Sequence, residues 1–230
     1  MKIISIIPAR GGSKSLPRKN LVEFLGEPLI NKTIEQSINS EYIDKTIVST
    51  DNQEIKEQSL KYNLEVIDRP KDISGDEATT ESAMMHVLET LKNDEDYIPD
   101  IVILLQVTSP LRKSDDIDNS IKKFIDEKSD SLISGSHFED FLFWEKKNND
   151  WEAVNYSPEN RMRRQDRNPQ FVENGSIYIF KPEILYKLNN RIGGKMTLYE
   201  MEFWQTWEID TKEEIDLLEF YYKKFLIGEN

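Results

Sequence analysis

Residues 100–107, with the sequence DIVILLQV, constrain the fold more than any other segment because every position from 101 to 105 is apolar. A strand with one face in water alternates apolar and polar side chains, whereas a strand covered on both faces has no need to alternate. Residues 100–107 are therefore predicted to form a strand at the buried centre of a parallel sheet.

Apolar residues that recur every three or four positions predict helices between the other strands. The predicted strands are 2–8, 45–50, 64–67, 100–107, 171–180 and 206–209, and the predicted helices are 29–40, 51–62, 81–92, 114–126 and 212–225. Strands that alternate with helices indicate an α/β fold, with a mainly parallel, doubly wound sheet in three layers. A length of 230 residues suits one domain over 1–230, whose ligand site is expected beyond the carboxyl ends of the strands.

Residues 131–170 interrupt this alternation. They contain short aromatic pieces with strand character at 141–144 and 151–154, followed by a basic polar segment at 160–169. We interpret 131–170 as an arm that is inserted into the domain and projects from the sheet.

The chain has 30 Lys and Arg against 43 Asp and Glu, a formal net charge of −13 at pH 7. This disfavours a nucleic-acid binder, which usually presents a basic face, but allows anionic small substrates that need only a few local cations. The chain has no Cys, so disulfides are excluded. The apolar run at the N-terminus is too short for a signal peptide, and no stretch reaches membrane-spanning length, so we expect no membrane partner and a cytoplasmic location.

The loop after the first strand, residues 9–20, concentrates four cationic side chains, Arg10, Lys14, Arg18 and Lys19, in an acidic protein. Its glycines let backbone N–H groups approach a ligand closely and can form anion-holding turns. The spacing is neither that of a P-loop nor that of a dinucleotide-binding loop. A triphosphate is the ligand this loop predicts, and a solvated polar turn is the alternative.

The sequence of this loop, IPARGGSKSLPRKN, resembles the signature loop of the CMP-sialic acid synthetases, also called acylneuraminate cytidylyltransferases. Further motifs match that family in the same order at 49–51 (STD), 69–70 (RP), 105–112 (LQVTSPLR), 164–165 (RQ), 173–178 (ENGSIY) and 208–210 (EID). The resemblance covers roughly the whole chain and implies the sheet of the nucleotide-diphospho-sugar transferases. It also implies the reaction, in which the anomeric hydroxyl of a nonulosonic acid attacks the α-phosphate of CTP and pyrophosphate leaves.

The resemblance assigns the CTP site to the basic loop and to residues 69–80. It implies that Arg10 and Lys19 are catalytic cations that hold the phosphates, with Lys19 steadying developing charge. The residues it implies for CTP are Arg10, Gly11, Gly12, Ser13, Lys19, Asn20, Arg69, Ala78 and Thr80. From the residues alone, turn chemistry explains Asn20 equally well, and a helix N-cap explains Thr79 or Thr80.

The sugar-acid site implied by the resemblance draws on two parts of the chain. The side chain of Gln106 is expected to point into the ligand crevice, because it ends the central strand. Arg164 is implied to cross into the partner of a homodimer and act there as a catalytic residue, since a guanidinium matches a carboxylate. The residues implied to contact the sugar acid are Gln106, Thr108, Ser109, Arg164, Gln165 and Asn174. A solvated charged face is the alternative for the basic segment, and a surface ion pair is expected for Arg112.

A metal site is assigned to Asp210, with Glu208 as its partner. Positions two apart on a strand point to the same face, so the two carboxylates can converge. Oxygen ligands suit Mg²⁺, with Mn²⁺ as the other candidate. The alternative is that these acids cap the final helix, whose N-terminus favours negative charge.

The identity of the sugar acid remains open at this stage. Val172 stands where some sialic acid synthetases have Arg, and residues 190–195 (NRIGGK) resemble the branch that activates legionaminic-type diamino sugars. Two other functions remain: a cytidylyltransferase for the eight-carbon acid Kdo, and a non-catalytic protein that binds nucleotide sugars.

Overall fold

A computed structural model describes residues 1–13, 15–138 and 141–228. The strands are β1 (Ile3–Pro8), β2 (Glu23–Phe24), β3 (Glu27–Pro28), β4 (Lys45–Thr50), β5 (Glu65–Asp68), β6 (Ile101–Leu105), β7 (Ser131–His137), β8 (Trp144–Lys147), β9 (Asp150–Ala153), β10 (Phe171–Phe180) and β11 (Met196–Met201). The α-helices are α1 (Leu29–Ile38), α2 (Gln53–Leu60), α3 (Thr80–Glu95), α4 (Asp116–Asp126), α5 (Pro182–Leu188) and α6 (Lys212–Tyr222), which continues as a π-helical turn, Lys223–Ile227. The prediction of an α/β fold with a mainly parallel sheet is confirmed.

Seven strands form the main sheet in the order β11-β7-β10-β6-β1-β4-β5. β1 pairs in parallel with both β4 and β6, and β10 is antiparallel to both of its neighbours, β6 and β7. After β1 the chain builds outward through β4 and β5, and then returns to place β6 on the other side of β1. The strand order therefore reverses between β1 and β6, which is where open α/β sheets bind ligands.

The core lies on both faces of the sheet, as the apolar run at 100–107 predicted. Ile103 and Leu105 pack on one face with α1, α4 and α6, whereas Val102 and Leu104 pack on the other face with α3 and α5. Both faces of β6 are covered, and all five of its residues are buried. This gives three layers and fixes the carboxyl end of β6 at the centre of the molecule.

One strand predicted near the C-terminus is absent, and one strand there was not predicted. The strand predicted at 206–209 is replaced by a 3₁₀-helix, Phe203–Thr206, and by irregular chain. The buried side chain of Gln205 donates to Leu111 O at 2.7 Å and to Asp116 at 2.6 Å, which fixes this segment near α4 without strand pairing. The edge strand β11 pairs in parallel with β7 and was not predicted, because its half-exposed residues lack a clear alternation.

The arm predicted at 131–170 begins too early. Residues 131–137 form β7, which pairs with β10 and β11 inside the main sheet. Beyond it, β8 and β9 form a separate two-stranded hairpin in which only the last residue is partly buried. None of the helices in the described part of the chain has the length and apolarity that a membrane crossing requires.

Candidate active site

A cleft of about 240 Å³ opens at the carboxyl ends of β1 and β6, where the strand order reverses. Its lining comes from the basic loop, the start of α3 and the turn after β6. The lining residues are Pro8, Arg10, Asn20, Arg69, Ala78, Thr79, Thr80, Gln106, Val107 and Thr108. The cleft thus brings together seven residues that the sequence assigned to CTP or sugar. Among the clefts lined by described residues, three with larger volumes lie away from the carboxyl ends of β1 and β6.

The described cations of the basic loop are each paired with a carboxylate from another element. Arg10 lies 3.4 Å from Asp76 and donates to Gly75 O at 2.6 Å. Arg18 pairs with a glutamate of α2. The Lys19 Nζ lies 2.5 Å from an Asp210 carboxylate oxygen, and the Lys19 side chain is only 13% exposed. A phosphate that enters here therefore has to compete with protein carboxylates for these cations.

The loop is held in place by side chains that the sequence could assign only partly. Asn20 lines the cleft and also donates from Nδ2 to Arg10 O at 2.9 Å, so it braces the loop, and its contact with CTP stays a prediction. The N–H of Gly11 donates to an Asp51 carboxylate oxygen at 2.8 Å. A Cβ at Gly11 would lie 2.8 Å from the Asn52 amide nitrogen, so a larger residue would displace the loop.

The wall opposite the loop is built by Arg69, Ala78 and Thr80. Arg69 is buried and donates from Nε to Ser49 Oγ at 3.1 Å and from Nη2 to Ser49 O at 2.7 Å. Burial lowers the pKa of the Arg69 guanidinium. The N-cap of α3 is Thr79, whose hydroxyl accepts from Ser82 N–H at 3.1 Å. Thr80 itself is left as the first helical residue, with its side chain at the cleft.

The turn after β6 and the segment before α6 meet on the other side of the cleft. The N–H of Ile209 donates to Thr108 O at 2.9 Å, and Ile209 is fully buried. Glu208 accepts from the Thr108 hydroxyl at 3.3 Å. Glu208 also packs against Gly175, where a Cβ would lie 2.0 Å from its carboxylate and 3.4 Å from Gln106 Oε1. Gly175 has a φ of +65°, so this close approach depends on a glycine.

Glu208 and Asp210 lie on either side of the buried Ile209, and their carboxylates influence each other. Burial raises the pKa of Glu208, and the negative charge of Asp210 raises it further. Capping does not explain these acids, because Thr211 is the N-cap of α6. The acid that accepts from the backbone N–H groups there is Glu214, at 2.6 Å from Asp210 N and 2.7 Å from Thr211 N.

Several predicted site residues are not among those that line the cleft. Gly12 and Ser13 lie in the basic loop, and Ser109 is buried just behind the turn. The Asn174 amide is used inside the sheet, where Oδ1 accepts from Ser134 Oγ at 2.6 Å. This pairing is the physical reason that Asn174 does not reach the cleft.

The basic segment of the arm lies apart from the cleft. Arg164 and Gln165 belong to a 3₁₀-turn, Arg164–Asp166, and the backbone around them is exposed. The Arg164 side chain and Lys14 fall outside the described residues. The sugar contacts implied for Arg164 and Gln165 stay predictions.

Sequence reasoning missed two features of this site. Arg112, expected in a surface ion pair, is 2% exposed and lies directly behind Gln106. Gly175 was quoted only as part of a motif, although its positive φ is what lets Glu208 approach. A glycine inside a strand pattern often marks a bulge or a close backbone approach, and that signal could have identified Gly175.

The segment at 190–195 is fastened to β10 and α3. Arg191 pairs with Glu81, and its guanidinium lies 4.2 Å from the centre of the Tyr178 ring. Tyr178 donates to Glu173 at 2.5 Å. These contacts give residues 190–195 a structural role whether or not they also distinguish between sugars.

Comparison with known proteins agrees with the sequence and the fold. A family model described as cytidylyltransferase matches residues 4–226. A pseudaminic acid cytidylyltransferase of Campylobacter jejuni is 30% identical over 230 residues, which cover 97% of each chain. An N-acylneuraminate cytidylyltransferase of Streptococcus agalactiae is 32% identical over 218 residues, which cover 93% of this chain but 52% of the relative.

Among solved structures, a CMP:2-keto-3-deoxy-manno-octonic acid synthetase complexed with CTP superposes with a TM-score of 0.72 at 16% identity. The match covers 98% of this chain and 100% of that chain, and at this identity it speaks for the fold. A 4-diphosphocytidyl-2C-methyl-D-erythritol synthase of Anaerococcus prevotii gives a TM-score of 0.68 at 16% identity, with 96% of each chain covered. The extent of the family match and of the Campylobacter relative shows that the chain belongs to the cytidylyltransferase family.

Proposed function

We propose that the chain transfers CMP from CTP to the anomeric hydroxyl of a nonulosonic acid and releases pyrophosphate. The observation that carries the proposal is the cleft between β1 and β6, which is lined by the loop cation Arg10, by Arg69 with the small residues Ala78, Thr79 and Thr80, and by the turn after β6. The relatives that match most of this chain are named as cytidylyltransferases for two nonulosonic acids, pseudaminic and N-acylneuraminic acid.

In this proposal Arg10 and Lys19 neutralise the triphosphate. Phosphoryl-type transfer needs in-line positioning and charge neutralisation more than covalent help from the protein. Arg10 leaves Asp76 and Lys19 leaves Asp210 when the phosphates provide stronger acceptors. The exchange of Lys19 also frees the Asp210 carboxylate at the moment the nucleotide arrives.

The nucleoside occupies the wall formed by Arg69, Ala78 and Thr80. Small side chains let a flat ring approach the backbone, and the Thr80 hydroxyl supplies a donor or acceptor. Arg69 is already bonded to Ser49, so it acts as a rigid support for the loop rather than as a mobile phosphate ligand. Asn20 holds the loop closed over the nucleotide through Arg10 O.

The sugar acid lies on the side of Gln106 and Thr108, next to the nucleotide. Ser109, Gln165 and Asn174 remain weaker candidates, because the structure places none of them in the cleft lining. The substrate carboxylate needs a cation on this side, and Arg164 from a second copy is the proposed source. A bidentate guanidinium is well suited to a carboxylate.

Asp210 and Glu208 fit a hard divalent cation, and Mg²⁺ is proposed, with Mn²⁺ as an alternative. Burial and, after it, the negative charge of Asp210 raise the pKa of Glu208, and a cation bound beside both carboxylates would offset both effects. No group of three or more acidic, His or Cys side chains suited to a metal occurs in the described ranges. A site with two carboxylates suits Mg²⁺, which completes its shell with water and phosphate oxygens. When bound, the ion would neutralise charge on the phosphates.

A homodimer is proposed because the hairpin β8–β9 stands outside the main sheet and leaves two tryptophan side chains about half exposed or more in one copy. Two-stranded hairpins are marginal by themselves, and Trp144 and Trp151 are 47% and 64% exposed. Packing these rings against a second copy would cover them and carry the basic segment to a neighbouring cleft. The cytoplasmic location remains a prediction.

The test is a pyrophosphate-release assay with CTP, Mg²⁺ and a panel of N-acetylneuraminic, pseudaminic, legionaminic and Kdo acids. Release with one or more nine-carbon acids is the expected result, and the best substrate decides whether residues 190–195 mark a legionaminic branch. Release with Kdo alone would replace the proposal by the eight-carbon reaction. CTP binding without release for any acid would indicate a binding protein.

A further inference from the structure

Arg112 is a buried cation whose partners are almost all neutral. It follows the turn after β6 and is 2% exposed. Among the residues that the structure describes, no carboxylate forms an ion pair with it. Burial lowers the pKa of Arg112 to about 9. The negative charges of Asp116 and Glu208 oppose this shift but do not cancel it, so a specific gain has to offset the cost of burying Arg112.

The guanidinium of Arg112 donates hydrogen bonds to two backbone carbonyls. Nη2 donates to Gln106 O at 2.7 Å and to Ser176 O at 2.8 Å, and Nε donates to Ser176 O at 3.3 Å. On the other edge, Nη1 donates to Gln36 Oε1 at 2.8 Å, which fixes the plane of the group. Gln36 in turn donates to Pro110 O at 2.7 Å, so the turn is held from both sides.

These two carbonyls lie where the sheet stops pairing. The β6–β10 ladder ends at the pair Ile177 with Leu105, and Ser176 and Gln106 are the next residues along each strand. β10 also shifts register relative to β7 between Glu173 and Tyr178, around Gly175. Arg112 therefore bonds both strands at the position where the ladder between them has ended.

We infer that Arg112 is a positioning residue for the sugar side of the cleft. It ties the carbonyl of Gln106 to the carbonyl of Ser176, which follows Gly175. The Gln106 Oε1 and the Glu208 carboxylate both lie close to Gly175, at 3.4 and 2.0 Å from the position that a Cβ would take there. By holding these two carbonyls together, it sets the distance between the Gln106 amide and the Gly175–Glu208 contact. The inference rests on the proposed function, because it assumes that Gln106 receives the sugar acid.

An arginine is required because its planar fork reaches two acceptors in fixed directions. A lysine at this position keeps the charge but offers donors from a single nitrogen, so it can hold one carbonyl well and the second poorly. A methionine has comparable length without any donor. This geometry predicts that activity on the sugar acid is highest with Arg112, lower in Arg112→Lys and lowest in Arg112→Met. The Arg69–Ala78 wall lies outside the contact and keeps its shape in both variants.

The test compares Arg112→Lys and Arg112→Met with Ile121→Ala. Ile121 is a fully buried residue of α4, and its truncation destabilises the same region without touching either carbonyl. The measurements are the melting temperature, the KM for CTP, the KM for the preferred sugar acid and kcat. Amide hydrogen exchange over residues 106–109 and 174–178 is measured as well, on the intact protein without substrates.

Arg112→Met is expected to lower kcat/KM for the sugar acid by roughly 100-fold, since misplacement of about 1 Å costs about that much. Arg112→Lys is expected to lose less activity than Arg112→Met. In both variants the KM for CTP should stay within about threefold of the wild-type value, because only an interaction on the sugar side of the cleft is removed. Exchange rises over 106–109 and 174–178 in Arg112→Met, but not in Ile121→Ala at a matched melting temperature.

Equal losses for CTP and sugar acid, or equal exchange in Arg112→Met and Ile121→Ala, would overturn the inference. Wild-type protein without turnover on any acid contradicts the proposed function instead. In that case the exchange comparison still decides whether Arg112 holds the two strands together.

Discussion

The cleft and the hairpin β8–β9 differ in how much of their packing and ion pairing a single chain supplies. The cleft lies at the end of β6, whose residues are all buried, and its described loop cations are each paired with a carboxylate. The hairpin β8–β9 stands outside the main sheet with nearly every residue exposed. The described loop cations of the cleft already have partners within a single chain, whereas the hairpin leaves Trp144 and Trp151 47% and 64% exposed.

The difference shows how each region can respond to a ligand. In the proposed function, binding in the cleft exchanges existing ion pairs for contacts with phosphate. The Lys19 side chain is only 13% exposed in its pair with Asp210, so the contact it gains with phosphate has to offset the pair it loses. In the arm, the proposed second copy would supply the packing, so any contribution of the arm to catalysis would depend on association.

The largest effect is expected from Lys19→Ala, which removes a cation that is proposed to neutralise the triphosphate. Loss of one preorganised charge-stabilising group costs about 10²–10³ in kcat. The melting temperature should change by only a few degrees, because the pair with Asp210 is partly exposed. Steady-state kinetics and a thermal melt check this, with Lys56→Ala as the control. Lys56 lies on α2 and pairs with Asp68 of β5 at 2.7 Å, and neither residue lines the cleft. Comparable kcat values for the two variants would refute the role of Lys19.

Gly175→Ala is expected to have the next largest effect. The added Cβ would meet the Glu208 carboxylate at 2.0 Å, and a φ of +65° costs a residue with a Cβ about 1–2 kcal/mol. Activity should fall by roughly 10- to 100-fold, since catalytic geometry is sensitive to shifts of about 1 Å.

Gly26→Ala is the matched control for this variant, with a φ of +83° and no atom within 4 Å of the added Cβ. It carries the backbone strain without the clash. Chemical denaturation and kcat measurements on both separate strain from displacement of Glu208. If Gly26→Ala lost as much activity as Gly175→Ala, the close approach would not matter.

A double variant, Trp144→Ser with Trp151→Ser, tests the arm. If these rings pack against a second copy, their loss should raise the dimer dissociation constant by roughly 30-fold, a typical penalty of about 2 kcal/mol for a central aromatic residue. Light scattering over a dilution series measures this. Phe220→Ser, which removes a 55% exposed ring on α6, is the control. A wild-type protein that stays monomeric at all concentrations rules out the proposed dimer.

The smallest effect is a pH-dependent stability difference in Glu208→Gln. Burial and Asp210 raise the pKa of Glu208 in the folded protein above its usual 4.5. At pH values between 4.5 and the raised pKa, Glu208 binds more protons in the folded state than in the unfolded state, so the free energy of unfolding falls as pH rises. The variant should melt a few degrees higher than wild type at neutral pH and lose that advantage below pH 4.5. Melting curves that run parallel at every pH contradict this, while activity should fall in the variant throughout.

The elements that the sequence predicted well are those fixed by local pattern. The apolar run at 101–105 and the helical spacing of Leu29, Ile30 and Ile34 determine their elements without knowledge of distant residues. The cation-rich loop was also recognisable, because its glycines and charges are adjacent in the chain. These features were enough to place the cleft at the sheet's carboxyl edge.

The features that were not predicted depend on partners far along the chain. Lys19 meets Asp210 across 191 positions, and Arg112 meets Ser176 across 64 positions. A single sequence contains no local pattern for such pairs. The irregular chain at 206–209 also depends on distant partners. The side chain of Gln205 donates to Leu111 O and to Asp116, and the chain that follows does not pair as a strand.

A diffraction experiment on crystals grown with CTP and Mn²⁺ tests the central claim most directly, since anomalous scattering locates the metal independently of the chain. We expect the nucleotide in the cleft between β1 and β6, the metal beside Asp210, and the Lys19 Nζ moved from Asp210 onto a phosphate oxygen. A nucleotide or metal bound elsewhere, with the Lys19–Asp210 pair unchanged, would contradict the account.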